Sequence, residues 1–226
     1  MMFRTAFTLG LVALITTSAF AQAEAPKLAP EVKNPNGAGV VRPMKHPSYQ
    51  ELMAPKDAKD DNWHKLKLTD SEGKTFSLDK YRGKLLLINF FFTHCPDVCP
   101  PQTAALNTVF NKLGKFEQDS VQFVSITIDP DNDTKDELAK YKKQFTKTTN
   151  WTFARTDKAT LDALGKHFGA LSGDPKKPLD HRARLFLIKD DGHYLLSYEA
   201  APVDIERMTR DLTDATRTFI KSKKKS

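Results

Sequence analysis

The chain has 226 residues, of which 39% are hydrophobic and 28% are charged, and its net charge is +7. This length fits one domain of ordinary size with extensions. No nucleic-acid-binding motif is present and the basic C-terminus contains no aromatic residue, so binding to DNA or RNA is not expected.

Residues 1–21 have the features of an export signal peptide. Arg4 provides the positive start, residues 6–20 form an apolar stretch, and Ala19 and Ala21 frame a small-x-small cleavage site. The stretch is short and broken by polar residues, whereas a bilayer span needs ~20 apolar residues. We therefore predict an exported, periplasmic protein, with an uncleaved membrane anchor as the alternative.

Residues 22–60 are rich in proline and poor in large apolar residues, which predicts an N-terminal extension rather than a core. The folded domain is predicted over residues 61–221. Residues 222–226 form a basic tail, which is typically solvated and would also suit an acidic partner or a membrane surface.

Strand and helix signals then alternate along the chain. Alternating apolar residues around a polar turn predict an entry hairpin over residues 66–78. A continuous apolar run predicts a strand buried on both faces, and a capping box predicts the start of a helix. The predicted order after the hairpin is a strand at 85–92, a helix around 106–113, a strand at 121–128, a helix at 134–145, a strand at 151–155 and a helix around 161–168.

A polar loop, residues 172–180, leads to the last predicted elements. Two strands, at 183–188 and 194–198, are joined by an Asp-Gly turn that is typical of a hairpin, and an apolar stripe over 205–219 predicts a final helix. This order predicts an α/β domain whose closing β-hairpin makes the sheet mixed.

Cys95 and Cys99 are the two cysteines of the chain, and they directly follow the first long apolar strand. Sites in open α/β sheets form beyond the carboxyl ends of the strands. Pro100 and Pro101 suit the first turn of a helix, which places Cys99 at its N-terminus, where the helix dipole and free amides would favour its thiolate.

Three interpretations of the cysteine pair remain open at this point. A structural disulfide is natural in an oxidising compartment, although so short a ring stabilises little. The others are a redox-active dithiol and a metal site, and the C-x-x-x-C spacing differs from the thioredoxin motif.

Of the six histidines, His181 has the most informative position, since it follows the polar loop and immediately precedes an apolar strand. A loop that folds back over the crevice would bring its imidazole to the two sulfurs. His94 adjoins Cys95 and would be either a ligand or an electrostatic neighbour of the thiol.

Three separated motifs resemble the SCO/SenC family: THCPDVCP at 93–100, TIDPDNDT at 127–134, and Asp180-His181 before a strand and an Asp-Gly turn. The resemblance covers roughly residues 60–220. It implies a thioredoxin-like fold and a copper site formed by Cys95, Cys99 and His181. Asp129 either corresponds to an acidic residue near that site, as the resemblance implies, or serves the entry to the helix after it, and Asp97 would either influence the thiols or close the turn.

The resemblance further implies a copper metallochaperone for the binuclear copper site of cytochrome c oxidase, in which oxidation of Cys95 and Cys99 to a disulfide prevents loading. Two thiolates and one imidazole form a soft, low-coordinate set that suits Cu(I). The expected partners are the copper-receiving oxidase subunit and a periplasmic thiol reductant or copper donor. The alternative is an enzyme, a thiol-disulfide oxidoreductase or thiol peroxidase that uses the same cysteines.

Overall fold

The computed structural model describes residues 62–171, 181 and 183–221. The predicted signal peptide (1–21), the predicted N-terminal extension (22–60), the polar loop (172–180) and the basic tail (222–226) lie outside the described residues. Within the described part of the chain, no helix is both long enough and apolar enough to cross a bilayer.

In the described part of the chain, seven strands form one mixed sheet with the order β2-β1-β5-β4-β3-β6-β7. The strands are β1 (Lys67–Asp70), β2 (Thr75–Ser77), β3 (Leu85–Phe91), β4 (Val121–Thr127), β5 (Trp151–Arg155), β6 (Arg184–Ile188) and β7 (Tyr194–Glu199). Strands β3, β4 and β5 are mutually parallel, whereas β6 and β7 add an antiparallel hairpin beside β3. The predicted mixed α/β architecture is confirmed.

Helices cover the sheet at the positions where apolar stripes predicted them, with one addition. They are α1 (Cys99–Lys112), α2 (Lys115–Ser120), α3 (Lys135–Phe145), α4 (Lys158–Phe168) and α5 (Ile205–Ala215), which ends in a π-helical turn (Thr216–Lys221). Thr134 caps α3 by accepting a hydrogen bond from the Glu137 amide at 3.3 Å, as the capping box predicts. The short helix α2 was not predicted, because six residues carry too little periodicity.

The sheet separates two hydrophobic cores, and β3 contributes to both. Leu85 and Leu87 pack into the core that contains α1 and α5, while Leu86 and Ile88 pack into the core that contains α4. All seven residues of β3 are buried, which explains why its sequence is continuously apolar. Because β3 and β4 are parallel, the loops that follow them emerge at the same edge of the sheet.

Candidate functional site

The two cysteines lie in the loop between β3 and α1. The strand ends at Phe91, one residue earlier than predicted, and the Cys95 amide donates a hydrogen bond of 3.3 Å to the carbonyl of Phe92. Cys99 is the first residue of α1, as expected from the prolines that follow it. Both cysteines are free thiols, Cys95 partly exposed and Cys99 buried in the core.

The sulfur of Cys95 lies against the start of the helix. The Cys99 amide donates a hydrogen bond to Cys95 Sγ at 3.3 Å. Partial burial opposes ionisation of Cys95, but hydrogen bonds from the Cys99 thiol and from the amides of Cys99, Asp97 and Val98 outweigh it and lower the pKa of the Cys95 thiol. Cys95 is therefore the thiol that the helix N-terminus activates.

Cys99 behaves in the opposite way, and the prediction that its position favours the thiolate is wrong. Burial raises the pKa of Cys99 to about 12, with a further contribution from its hydrogen bond to Cys95. The helix amide that would stabilise the Cys99 thiolate is directed at its neighbour. The pair thus consists of one partly exposed thiol with a lowered pKa and one buried thiol with a raised pKa.

His181 contacts Phe92. It forms an isolated antiparallel bridge with Leu171, and its ring stands edge-to-face to the Phe92 ring with the centroids 6.1 Å apart. The carbonyl of Phe92 accepts a hydrogen bond from Cys95, so Phe92 contacts both His181 and the cysteine loop. These contacts place His181 against Phe92, while the approach of its imidazole to the two sulfurs stays a prediction.

The three side chains do not form a closed ligand set here. Among residues 62–171, 181 and 183–221, no group of three His, Cys, Asp or Glu side chains lies close enough together to hold a metal ion. The structure brings Cys95 and Cys99 together, and His181 contacts the ring of Phe92, the residue whose carbonyl accepts the Cys95 amide. As donors, two sulfurs and an imidazole nitrogen fit a soft, low-coordinate ion.

A close contact between helix α4 and Leu171 supports the position of His181. A side chain at Gly165 would place its Cβ 2.4 Å from Leu171 Cδ1, so only glycine allows the leucine to pack this near the helix. Leu171 in turn pairs with His181. The backbone of His181 is therefore fixed by its bridge to Leu171, and its imidazole packs against the ring of Phe92.

Comparison with known proteins assigns the chain to a family. The family model described as SCO1/SenC matches residues 54–217. The chain belongs to the SCO1/SenC family. A SCO2-like protein of Rickettsia conorii is 33% identical over 153 residues, which cover 65% of this chain and 74% of the relative.

Solved SCO1/SenC structures confirm the predicted thioredoxin-like α/β fold. The structure of Bradyrhizobium japonicum ScoI with copper bound matches with a TM-score of 0.57 and 27% identity, over 66% of this chain and 96% of that one. BsSco, described as a member of the Sco family of cytochrome c oxidase assembly proteins with a disulfide switch, matches with a TM-score of 0.58 and 27% identity, over 67% and 91% of the two chains.

The other polar residues of the SCO1/SenC motifs have different surroundings in the structure. The carboxylate of Asp129 accepts hydrogen bonds of 3.0 Å from the Asn132 side chain, which is turn chemistry. Asp97 is exposed in the turn between the cysteines, and His94 is exposed with its Nδ1 3.0 Å from Thr93 Oγ1.

Sequence reasoning missed Asp133, whose carboxylate is buried beneath the cysteine loop and accepts hydrogen bonds from Thr93 and Thr127. Asp133 lies in the loop between β4 and α3, directly before the cap Thr134, and an acid in such a position is usually solvated, so the sequence gives no sign of its burial. That position puts Asp133 at the same edge of the sheet as Cys95 and Cys99.

Proposed function

We propose that this SCO1/SenC protein is a copper metallochaperone that binds one copper ion as its cargo through Cys95, Cys99 and His181. The observation that carries the proposal is the position of Phe92, which accepts a hydrogen bond from Cys95 and packs against the His181 ring. The copper-bound ScoI structure, a relative at 27% identity, supports copper as the ion.

The acid-base properties of the two thiols suit an ordered loading of Cu(I). The lowered pKa of Cys95 makes it the first ligand, because the thiolate is the form that binds metal. Cys99 then releases its proton to the solvent as the ion replaces it, so that binding is coupled to proton release. His181 completes the site by approaching the sulfurs from the Phe92 side.

Delivery would proceed by stepwise exchange of ligands with a target that also presents cysteines, for which we propose the binuclear copper site of a respiratory cytochrome c oxidase. Oxidation of Cys95 and Cys99 to a disulfide would remove two of the three ligands and prevent loading. BsSco supports this part of the proposal, since it is described as an oxidase assembly protein with a disulfide switch.

The predicted signal peptide supports a periplasmic site of action, where the partners would be the oxidase subunit that receives copper and a thiol reductant or copper donor. The basic tail would add attraction to an anionic membrane surface.

A copper titration of the reduced protein tests the proposal. Cu(I) is added in competition with a chromophoric chelator, and Cu(II) binding is followed by absorption and electron paramagnetic resonance. We expect one ion per chain and an affinity that falls at least tenfold in His181→Ala. His193→Ala, which alters an exposed histidine in the β6–β7 turn, is the matched control and should bind as the wild type does. Equal affinity in His181→Ala would remove His181 from the site.

The unequal thiols also favour a second candidate, a thiol-disulfide oxidoreductase or thiol peroxidase. A partly exposed Cys95 with a lowered pKa beside a buried Cys99 with a raised pKa is the arrangement of an attacking and a resolving cysteine. Turnover with a disulfide substrate or peroxide would then be abolished by Cys95→Ser and unchanged by His181→Ala. A loss of turnover in His181→Ala would contradict this second function.

A further inference from the structure

The buried carboxylate of Asp133 connects the loops that follow β3 and β4. One of its oxygens, Oδ2, accepts hydrogen bonds from the Thr93 amide at 3.0 Å and from the Thr127 hydroxyl. The other, Oδ1, accepts a hydrogen bond from the Thr93 hydroxyl. Within the described residues, these contacts make Thr93 the main partner of Asp133 through both its backbone and its side chain.

Thr93 lies two residues before Cys95, and its neighbours on both sides take part in the contacts of this loop. Phe92, directly before it, accepts the hydrogen bond from the Cys95 amide. On the other side, His94 Nδ1 lies 3.0 Å from Thr93 Oγ1. Since the Thr93 hydroxyl donates its hydrogen to Asp133, His94 is the donor in this contact, and the same ring lies 3.7 Å from Asp133 Oδ1. The start of the cysteine loop is thus held at each successive residue.

A carboxylate in this position is expensive to bury. The side chain of Asp133 has no exposed surface, and the nearby His94 ring, with Nδ1 3.7 Å from Oδ1, is itself exposed. A buried acid without a strong cationic partner costs several kcal/mol unless hydrogen bonds replace its hydration. Two of the three hydrogen bonds that do so come from Thr93, in the loop that carries the cysteines.

We propose that Asp133 is a positioning residue for the cysteine pair. Its hydrogen bonds fix the position of Thr93, and Thr93 in turn holds Cys95 Sγ against the first turn of α1. This inference deepens the proposed function, because it concerns the loop that presents both thiols. When the Asp133–Thr93 hydrogen bonds are present, the Cys99 amide lies 3.3 Å from Cys95 Sγ, and this arrangement favours a bond between the two sulfurs. A loosened loop would spend less time in this arrangement, so that disulfide formation would become less favourable.

The experiment measures the thiol-disulfide equilibrium with glutathione in the absence of copper. One oxidised glutathione accepts two electrons and is released as two reduced glutathione molecules, while Cys95 and Cys99 lose two protons and form one S–S bond. Thr93→Val removes the hydroxyl but keeps the shape and the backbone amide. We expect the equilibrium constant for disulfide formation to fall about tenfold, equal to about 30 mV, and Asp133→Asn to shift it in the same direction.

Two controls separate positioning from stability. Thr93→Ser retains the hydroxyl and should restore the equilibrium constant to within about twofold of wild type. Asp211→Asn alters a similarly buried carboxylate that pairs with Arg207 at 3.2 Å on α5, and should lower the unfolding midpoint without changing the equilibrium constant.

An unchanged equilibrium constant in Thr93→Val would overturn the inference, as would a fall that Thr93→Ser does not restore. Because the assay contains no copper, a wild-type protein that fails to bind copper would contradict the proposed function and leave this result interpretable.

Discussion

The backbone amide of Cys99 donates its hydrogen bond to the sulfur of Cys95, 3.3 Å away. The first amide of helix α1 therefore stabilises a thiolate four residues earlier in the chain, while the Cys99 thiol is enclosed by the core. This relationship makes the two cysteines chemically different although they belong to one short motif.

The first prediction is that the two thiols differ in their rate of alkylation. In Cys99→Ser, Cys95 should react with iodoacetamide at neutral pH, since the serine hydroxyl can replace the hydrogen bond from the Cys99 thiol and the amides of residues 97–99 also lower the pKa of Cys95. In Cys95→Ser, reaction of Cys99 at the same pH should be slower by about tenfold or more, because burial, the largest cause of its raised pKa, persists in this variant. Rates measured from pH 6 to pH 10 by mass spectrometry test this. Equal rates in the two variants would contradict the assigned asymmetry.

The second prediction concerns the contact that supports His181. Gly165→Ala should force Leu171 away from α4, because the new Cβ would lie 2.4 Å from its Cδ1. The crowding should cost about 1–3 kcal/mol, reduced by about 1 kcal/mol through the better helix propensity of alanine. Urea unfolding measures the loss, and the NMR signals of the His181 ring report its displacement from Phe92.

Asp162→Ala is the matched control for Gly165→Ala. It introduces alanine on the exposed side of the same helix and removes an ion pair with Lys158 at 3.6 Å. We expect a change within about 0.5 kcal/mol and unaltered His181 signals. If Gly165→Ala did not shift those signals, the inferred support of His181 by α4 through Leu171 would be wrong.

The third prediction concerns a buried polar network that joins β3, β4 and β5. The Ser125 hydroxyl donates to Asn89 Oδ1 at 2.7 Å and accepts from Trp151 Nε1 at 2.8 Å. Ser125→Ala would leave a buried acceptor and a buried donor without partners, at a cost of about 2–4 kcal/mol in the free energy of unfolding. Chemical denaturation measures it. Thr108→Ala, on the exposed side of α1, is the control and should change stability by less than about 0.5 kcal/mol.

The fourth prediction is a loss of stability at alkaline pH that depends on Tyr141. Burial raises the pKa of Tyr141, whose hydroxyl lies 3.1 Å from Thr103 Oγ1. Because the folded state keeps this proton and the unfolded state releases it above about pH 10, the contribution is complete below that pH and decreases above it. The stability difference between wild type and Tyr141→Phe, measured from pH 7 to pH 11, should therefore shrink above pH 10. A constant difference would contradict the prediction.

Much of the fold follows from patterns that short segments carry by themselves. The apolar runs that become β3 and β4, the capping box at Thr134 and the Asp-Gly turn before β7 each specify local structure without knowledge of the remainder. The antiparallel pairing of β1 with β5 does not follow in this way, because it joins segments far apart in the chain.

The candidate site shows where such reasoning ends. The positions of Cys95 and Cys99 relative to the strand and helix could be predicted, because strand ends and helix starts have recognisable sequences. The protonation of Cys99 could not, since it depends on burial by distant elements. Asp133 was missed for a related reason: an acid between a strand and a helix cap is usually solvated, and only the folded chain shows that a second loop covers it.

The antiparallel bridge between Leu171 and His181 has a consequence for how this protein tolerates change. Since the bridge joins the residues on either side of positions 172–180, the place of the imidazole is set by the two ends of that segment and not by its length. We expect short insertions or deletions between these ends to leave the Leu171–His181 bridge in place. The length of this segment would then be free to vary without displacing the histidine from Phe92.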